Sequence, residues 1–268
     1  MNTLMRSLLL ALCFLSTVTH VSAEERICRY CEEGRSHLMP LGLDLQGKFH
    51  YAPDRQVDVK HIKLDVTPDF AKRTVSGSVS ITAQPIAKPV ELLNLDAKDI
   101  TVKKVSCEQA TVKDFVSTRE SLQILFAQPV QIDTQFTVVI EYTAQPNAGL
   151  YFRTPAMGYP ETDTHIWTQG ETHEARHWFP CFDYPNERSS TEVICHVPQD
   201  MTVLSNGVRK GESIDASGLK SVRWYHEKPH ANYLICLVAG HLKGLEKRHR
   251  NVPLGFYTQP SLAKYAAN

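Results

Sequence analysis

The chain has 268 residues, 42% of them hydrophobic, and its 29 basic and 29 acidic side chains leave a formal net charge of zero. That length fills one large or two modest domains with a real core. The charge balance removes the electrostatic basis for a nucleic-acid or anionic-membrane partner, and no apolar run approaches the about 20 residues that span a bilayer.

Arg6, the apolar run from Leu8 to Val18 and the sequence Val21-Ser22-Ala23 predict a signal peptide over residues 1–23, cleaved near Ala23. The product is therefore expected to be secreted or periplasmic. Cys13 lies inside the apolar run behind the bulky Leu12, which argues against a lipoprotein cleavage site. Residues 24–51 are polar, contain glycine and show no period, so they read as an arm or linker. Within them Cys28-x-x-Cys31 lacks the flanking strand and helix of a redox motif, and only His37 lies near as a further zinc ligand. A local disulfide or two exposed thiols is the expectation. Of the remaining cysteines, Cys107, Cys181, Cys195 and Cys236, the last three sit in apolar or aromatic contexts that suit small buried side chains, although an oxidising compartment permits disulfides.

From Val57 onward the pattern alternates. Val57, Val59, His61, Lys63 and Asp65 take turns with Asp58, Lys60, Ile62, Leu64 and Val66, and Pro68-Asp69 makes a turn before Val75–Ala83 repeats the alternation. Further strands are predicted at Val90–Leu95, Ile100–Val105, Leu122–Phe126, Phe136–Tyr142, Glu192–Val197, Val222–His226 and Tyr233–Val238. Short, evenly spaced strands without an amphipathic helix predict an all-β domain over residues 52–258, a saddle-like antiparallel sheet or sandwich. At residues 259–268 the pattern changes again: Ser261 reads as a cap before Leu262, Ala263, Lys264, Tyr265, Ala266 and Ala267. So short a helix is marginal alone, so the expectation is that it opens a helical domain this chain does not contain.

The run Thr168–Pro185, TQGETHEARHWFPCFDYP, concentrates the chemistry and reads as a loop. Gln169, Glu171 and Glu174 offer oxygen acceptors to a cation, while Trp167, Trp178, Phe179 and Phe182 supply apolar faces to hold the loop rigid. Arg176 and Asp183 read as a structural ion pair. His165, His173 and His177 lack metal-ligand spacing, so hydrogen-bonding roles are expected. The string His226-Glu227-Lys228-Pro229-His230 satisfies H-E-x-x-H, but that zinc motif needs one helical face, and Pro229 and strand-like flanks oppose a helix. It reads as a loop between strands, not as a metal site.

The pattern T-Q-x-E, then A-R, F-P-C-F-D and Pro, resembles the amino-terminal domain of the zinc aminopeptidases of the aminopeptidase N family. Val57–Ala83, Leu93–Val102, Gly149-Leu150-Tyr151, Asn206-Gly207 and His230–Gly240 are also similar, so the resemblance covers about Val57 to Ala267. Tyr184 departs from it, standing where most members carry Glu. The resemblance implies that Gln169 and Glu171 hold the α-amino group of a peptide substrate. It places zinc and the general base in a following catalytic domain, so this chain alone is expected to hold no metal, no catalytic residue and no peptidase activity. Its expected partners are peptide N-termini and that catalytic domain. Two competing readings are a secreted binding module reusing the same domain without chemistry, and a carbohydrate-binding sandwich with Tyr151, Tyr159 and Trp167 along a groove.

Overall fold

A computed structural model describes residues 54–266. The predicted signal peptide and polar arm, with the Cys28/Cys31 pair, lie outside them. The all-β expectation holds among the described residues, in several packed sheets.

Alternation builds the opening hairpin, with one irregularity that the pattern does not reveal. In β1 (Val57–Asp69) the buried residues are Val57 and Val59, then Ile62, Leu64 and Val66. A register shift between Val59 and His61 inserts one residue and switches which parity faces the core. Antiparallel to β1 runs β2 (Thr74–Pro85). Beyond it come β3 (Val90–Asp96), β4 (Ile100–Cys107), β5 (Val112–Ser117), β6 (Ser121–Val130) and β7 (Phe136–Ala144). The middle of the chain forms β8 (Gly149–Arg153), β9 (His165–Gln169) and β10 (Ser189–Val197). The last third forms β11 (Thr202–Ser205), β12 (Val208–Ile214), β13 (Lys220–His230), β14 (Leu237–Gly240), β15 (Lys243–His249) and β16 (Val252–Thr258).

These strands make a seven-stranded sheet in the order β12-β13-β10-β1-β2-β7-β4, a four-stranded sheet β11-β14-β9-β8, a three-stranded sheet β3-β6-β5 and the hairpin β15-β16. Neighbours are antiparallel except β1 and β10, which pair in parallel. A parallel pair needs a long crossover. Here the crossover contains the three-stranded sheet and the β8–β9 hairpin, which brings the latter beside the main sheet. One contiguous apolar cluster joins buried positions of the large sheet, such as Leu64, Val79 and Ile140, to Leu122 and Ile124 of β6 and to Leu150 and Ile166 of β8 and β9. Trp178 and Phe179 enter the same cluster and meet edge to face with ring centres 4.5 Å apart.

At the C-terminal end a 3-10 turn at Pro260–Leu262 leads into a one-turn helix, α1 (Ala263–Ala266). Helical structure therefore begins where the sequence predicts it, but Ser261 is not the cap. Gln259 occupies that position, and the amide and hydroxyl of Ser261 both donate to the buried carboxylate of Asp163, the amide at 3.1 Å. A buried carboxylate without donors is costly, and Ser261 supplies two. Strand prediction also errs at Tyr233–Val238: Asn232–Leu234 is a 3-10 turn, and β14 starts only at Leu237. No helix among the described residues is long and apolar enough to cross a membrane.

Candidate amino-group site

The run beginning at Thr168 is not a loop throughout. Thr168 and Gln169 are the last residues of β9, so Gln169 stands on a strand rather than on a mobile connection. Thr168 locks that end of the strand to the neighbouring one: its hydroxyl donates to the carbonyl of Ile235 at 3.1 Å and accepts from the amide of Leu237 at 2.9 Å.

After Gln169 the chain turns between two close backbone approaches. At Gly170 an added Cβ would meet the Cα and carbonyl oxygen of Tyr233, each at 2.8 Å. The amide of Glu174 then donates to the carbonyl of Gly170 at 2.9 Å, which closes the turn carrying Glu171. Directly opposite Gln169 in the β8–β9 ladder is Gly149, at φ +74°. A Cβ there would lie 1.9 Å from the carbonyl oxygen of Glu174. Side chains facing each other across a ladder share one face of the sheet. The turn therefore folds over the face from which Gln169 projects, and Gly149 is bare because the turn occupies that space. Gln169 is half-buried and Glu171 exposed.

The rest of the run anchors this turn. Arg176 is enclosed by carboxylates: its Nε donates to Asp183 Oδ2 at 3.1 Å, its Nη2 donates to the Asp183 carbonyl at 3.2 Å, and its Nη1 lies 3.1 Å from Asp96 Oδ1. The Asp183 amide in turn donates to Asp96 Oδ2 at 3.0 Å, and Asp96 pairs with Cys181 through backbone bonds of 2.8 and 3.0 Å. The side-chain Nδ2 of Asn232 donates to the carbonyl of Phe182 at 2.7 Å. Burial pushes the Asp183 carboxyl up from its ordinary range, with the amide and guanidinium of Arg176 opposing. The structural reading of the Arg176–Asp183 pair agrees with this geometry. Asp96, Asn232, Gly149 and Gly170 go beyond it, because nothing in their types signals that distant segments converge on one turn.

The histidines around the motif hold structural positions. His165 is buried with Nδ1 2.6 Å from the carbonyl of Asp163, and His173 Nδ1 lies 3.1 Å from the carbonyl of Asp183. Tyr184, the departure from the family pattern, has its ring 6.0 Å from that of His173 and 5.6 Å from the guanidinium carbon of Arg176. Burial, assisted by Lys98 and Arg176, pushes His177 down to about 4. A folded pKa below the unfolded one gives stability that is present above about pH 6.5 and lost as pH falls toward 4. Urea midpoints measured from pH 7 to pH 4 are accordingly expected to fall, and His177→Gln to flatten that fall. An unchanged slope in the variant contradicts the assignment.

The string His226–His230 is neither helix nor loop: it is the end of β13. There β13 pairs only with β10 through Thr191↔His226 and Ser189↔His230, and the irregularity between them accommodates Pro229. The two imidazoles meet edge to face 4.7 Å apart, with His226 Nδ1 2.8 Å from the Lys228 carbonyl and His230 Nδ1 3.0 Å from that of Ala231. A catalytic zinc site needs a third protein ligand. Among the described residues no group of three or more His, Cys, Asp or Glu side chains is arranged to hold a metal ion, so zinc does not fit the residues seen here. Cys107, Cys181, Cys195 and Cys236 are free thiols. Burial pushes Cys195 up to about 12 and raises Cys181, which leaves both unreactive at neutral pH.

Known proteins resemble the chain over most of its length. The model of the peptidase M1 N-terminal domain matches residues 56–234. Leukotriene A-4 hydrolase of Xenopus laevis is 25% identical over 72% of this chain and 33% of its own length. Aminopeptidase 2, mitochondrial, of Saccharomyces cerevisiae is 28% identical over 80% of this chain and 23% of its own. Human glutamyl aminopeptidase is 28% identical over 79% of this chain and 24% of its own. The chain thus spans between about a quarter and a third of the length of these relatives. Among solved structures, the M1 zinc metallopeptidase of Deinococcus radiodurans shares the fold at a TM-score of 0.62 and 19% identity, over 76% of this chain and 47% of that one. The match to the domain model spans most of the chain and all of the Gln169–Glu171 turn, and so the protein belongs to the peptidase M1 N-terminal domain family.

Proposed function

We propose that this chain provides the substrate-amine anchor of an exported zinc aminopeptidase, working with an M1 catalytic domain that carries the metal and the general base. In this reading the Gln169 carbonyl oxygen and the Glu171 carboxylate accept charge-assisted hydrogen bonds from the α-ammonium of a peptide. Binding the free end fixes the distance to the first peptide bond, so single residues are removed. The observation that carries the reading is the bare Gly149 opposite Gln169, whose missing side chain lets the Glu171 turn fold beside Gln169 on a braced strand end. The signal peptide predicted over residues 1–23 supports export, and the relatives named as aminopeptidases support the substrate class.

The anchor can be tested on the chain alone, without catalysis. NMR titration with L-alanine amide is expected to shift the amide signals of residues 169–174, and N-acetyl-L-alanine amide, which has no ammonium, to leave them in place. Equal binding of both compounds contradicts the reading.

A further inference from the structure

The amino-group site leaves one neighbouring feature unused. Side chains two apart on a strand share a face, so Trp167 and Gln169 project from β9 together, while Thr168 between them is turned to Ile235 and Leu237. Tyr151 lies opposite Trp167 in β8, and the two rings stack with centres 4.7 Å apart and planes 24° from parallel. On the other side of Trp167 the register continues to Val238 of β14 and from there to Leu204 of β11. Leu204, Val238, Trp167 and Tyr151 thus form an apolar row across the whole four-stranded sheet, each half-buried. The polar end of the face is Gln169, with the Glu171 turn beside it. At the opposite end Arg153 places its guanidinium 5.1 Å from the centre of the Tyr159 ring.

Resting on the reading of Gln169 and Glu171 as the amine anchor, we propose that the Tyr151–Trp167 surface receives the side chain of the substrate's first residue and selects large apolar residues there. Residues i and i+2 of a strand are separated by about 6–7 Å. An ammonium held at Gln169 leaves its own Cβ only two bonds away, so a leucine or phenylalanine side chain spans the rest of that distance, whereas an alanine methyl stops short. The stacked rings offer such a side chain apolar area, and contact with it removes that area from water on both partners. Arg153 at the far end disfavours a lysine or arginine side chain by like charge.

The test is NMR titration of the chain with L-phenylalanine amide, L-alanine amide and L-glutamic acid α-amide. The phenylalanine compound is expected to bind roughly tenfold more tightly than the alanine compound, about 1.4 kcal/mol. Trp167→Ala is expected to bring the two to the same affinity. Tyr151→Ser serves the same purpose should Trp167→Ala fail to fold. A wild-type ratio near one, a ratio that survives both substitutions, or tightest binding of the glutamyl compound overturns the proposal. Glu171→Gln separates the two levels of inference. If it weakens all three amides while the Trp167 variant keeps its selectivity, the anchor stands and the apolar surface fails. If it weakens none, or if no amide binds at all, the anchor fails and the surface proposal with it.

Discussion

Arg176→Ala is expected to destabilise the domain by about 3–5 kcal/mol, the usual consequence of removing one partner from a buried ion pair. Its guanidinium is held by Asp183, whose side chain is 2% exposed, and by Asp96, so truncation leaves two carboxylates facing each other without a cation. Such a loss is a large share of the ~5–15 kcal/mol that typically separates folded from unfolded. The effect carries a pH signature. Burial already holds the Asp183 carboxyl above its ordinary range, and without Arg176 it rises further. Protonation then relieves the repulsion, so the difference between wild type and variant, measured by urea unfolding, is expected to be smaller at pH 5 than at pH 8. A pH-independent difference, or one below about 1 kcal/mol, would show that the pair behaves like an exposed salt bridge.

With the domain joined to an M1 catalytic domain, Glu171→Ala is expected to lower kcat/KM for peptides with a free amino terminus. A hydrogen bond to a charged group contributes about 1.5–3 kcal/mol, which corresponds to a loss of roughly tenfold to just over a hundredfold. Glu174→Gln is the control. Glu174 lies in the same turn, but its backbone carbonyl packs over Gly149 and its side chain is half-buried, so a shape-conserving change there is expected to cost at most a few-fold. Equal losses at both positions would indicate that only the negative charge of the turn matters.

Much of this architecture was legible in the residues, and the failures have physical causes. Alternation located β1, β2 and β7, because one face of each is buried and the side-chain period is two. It could not reveal the bulge between Val59 and His61, where pairing and not local preference decides the parity. The half-buried strands β8 and β9 carry polar and aromatic residues on the exposed face, so Thr168 and Gln169 read as loop although the ladder to Gly149 extends them. Pro229 argued for a loop, yet its position in a bulge lets β13 continue past it. Gln169 and Glu171 stood out as acceptors within a run of aromatics and turn residues. Asp96 and Asn232 did not, because their part in bracing the turn depends on segments far apart in the chain.

A double-substitution cycle on enzyme and substrate measures directly the proposed contact between Glu171 and the α-ammonium. In the assembled enzyme, kcat/KM is compared for wild type and Glu171→Ala on a peptide substrate with a free amino terminus and on its N-acetylated form. If the carboxylate acts on the ammonium, the variant loses its roughly ten- to hundredfold factor on the free substrate and little or nothing on the acetylated one, a coupling of about 1.5–3 kcal/mol. Equal losses on the two substrates, a coupling near zero, would contradict the assignment and leave Glu171 as a residue that merely shapes the turn.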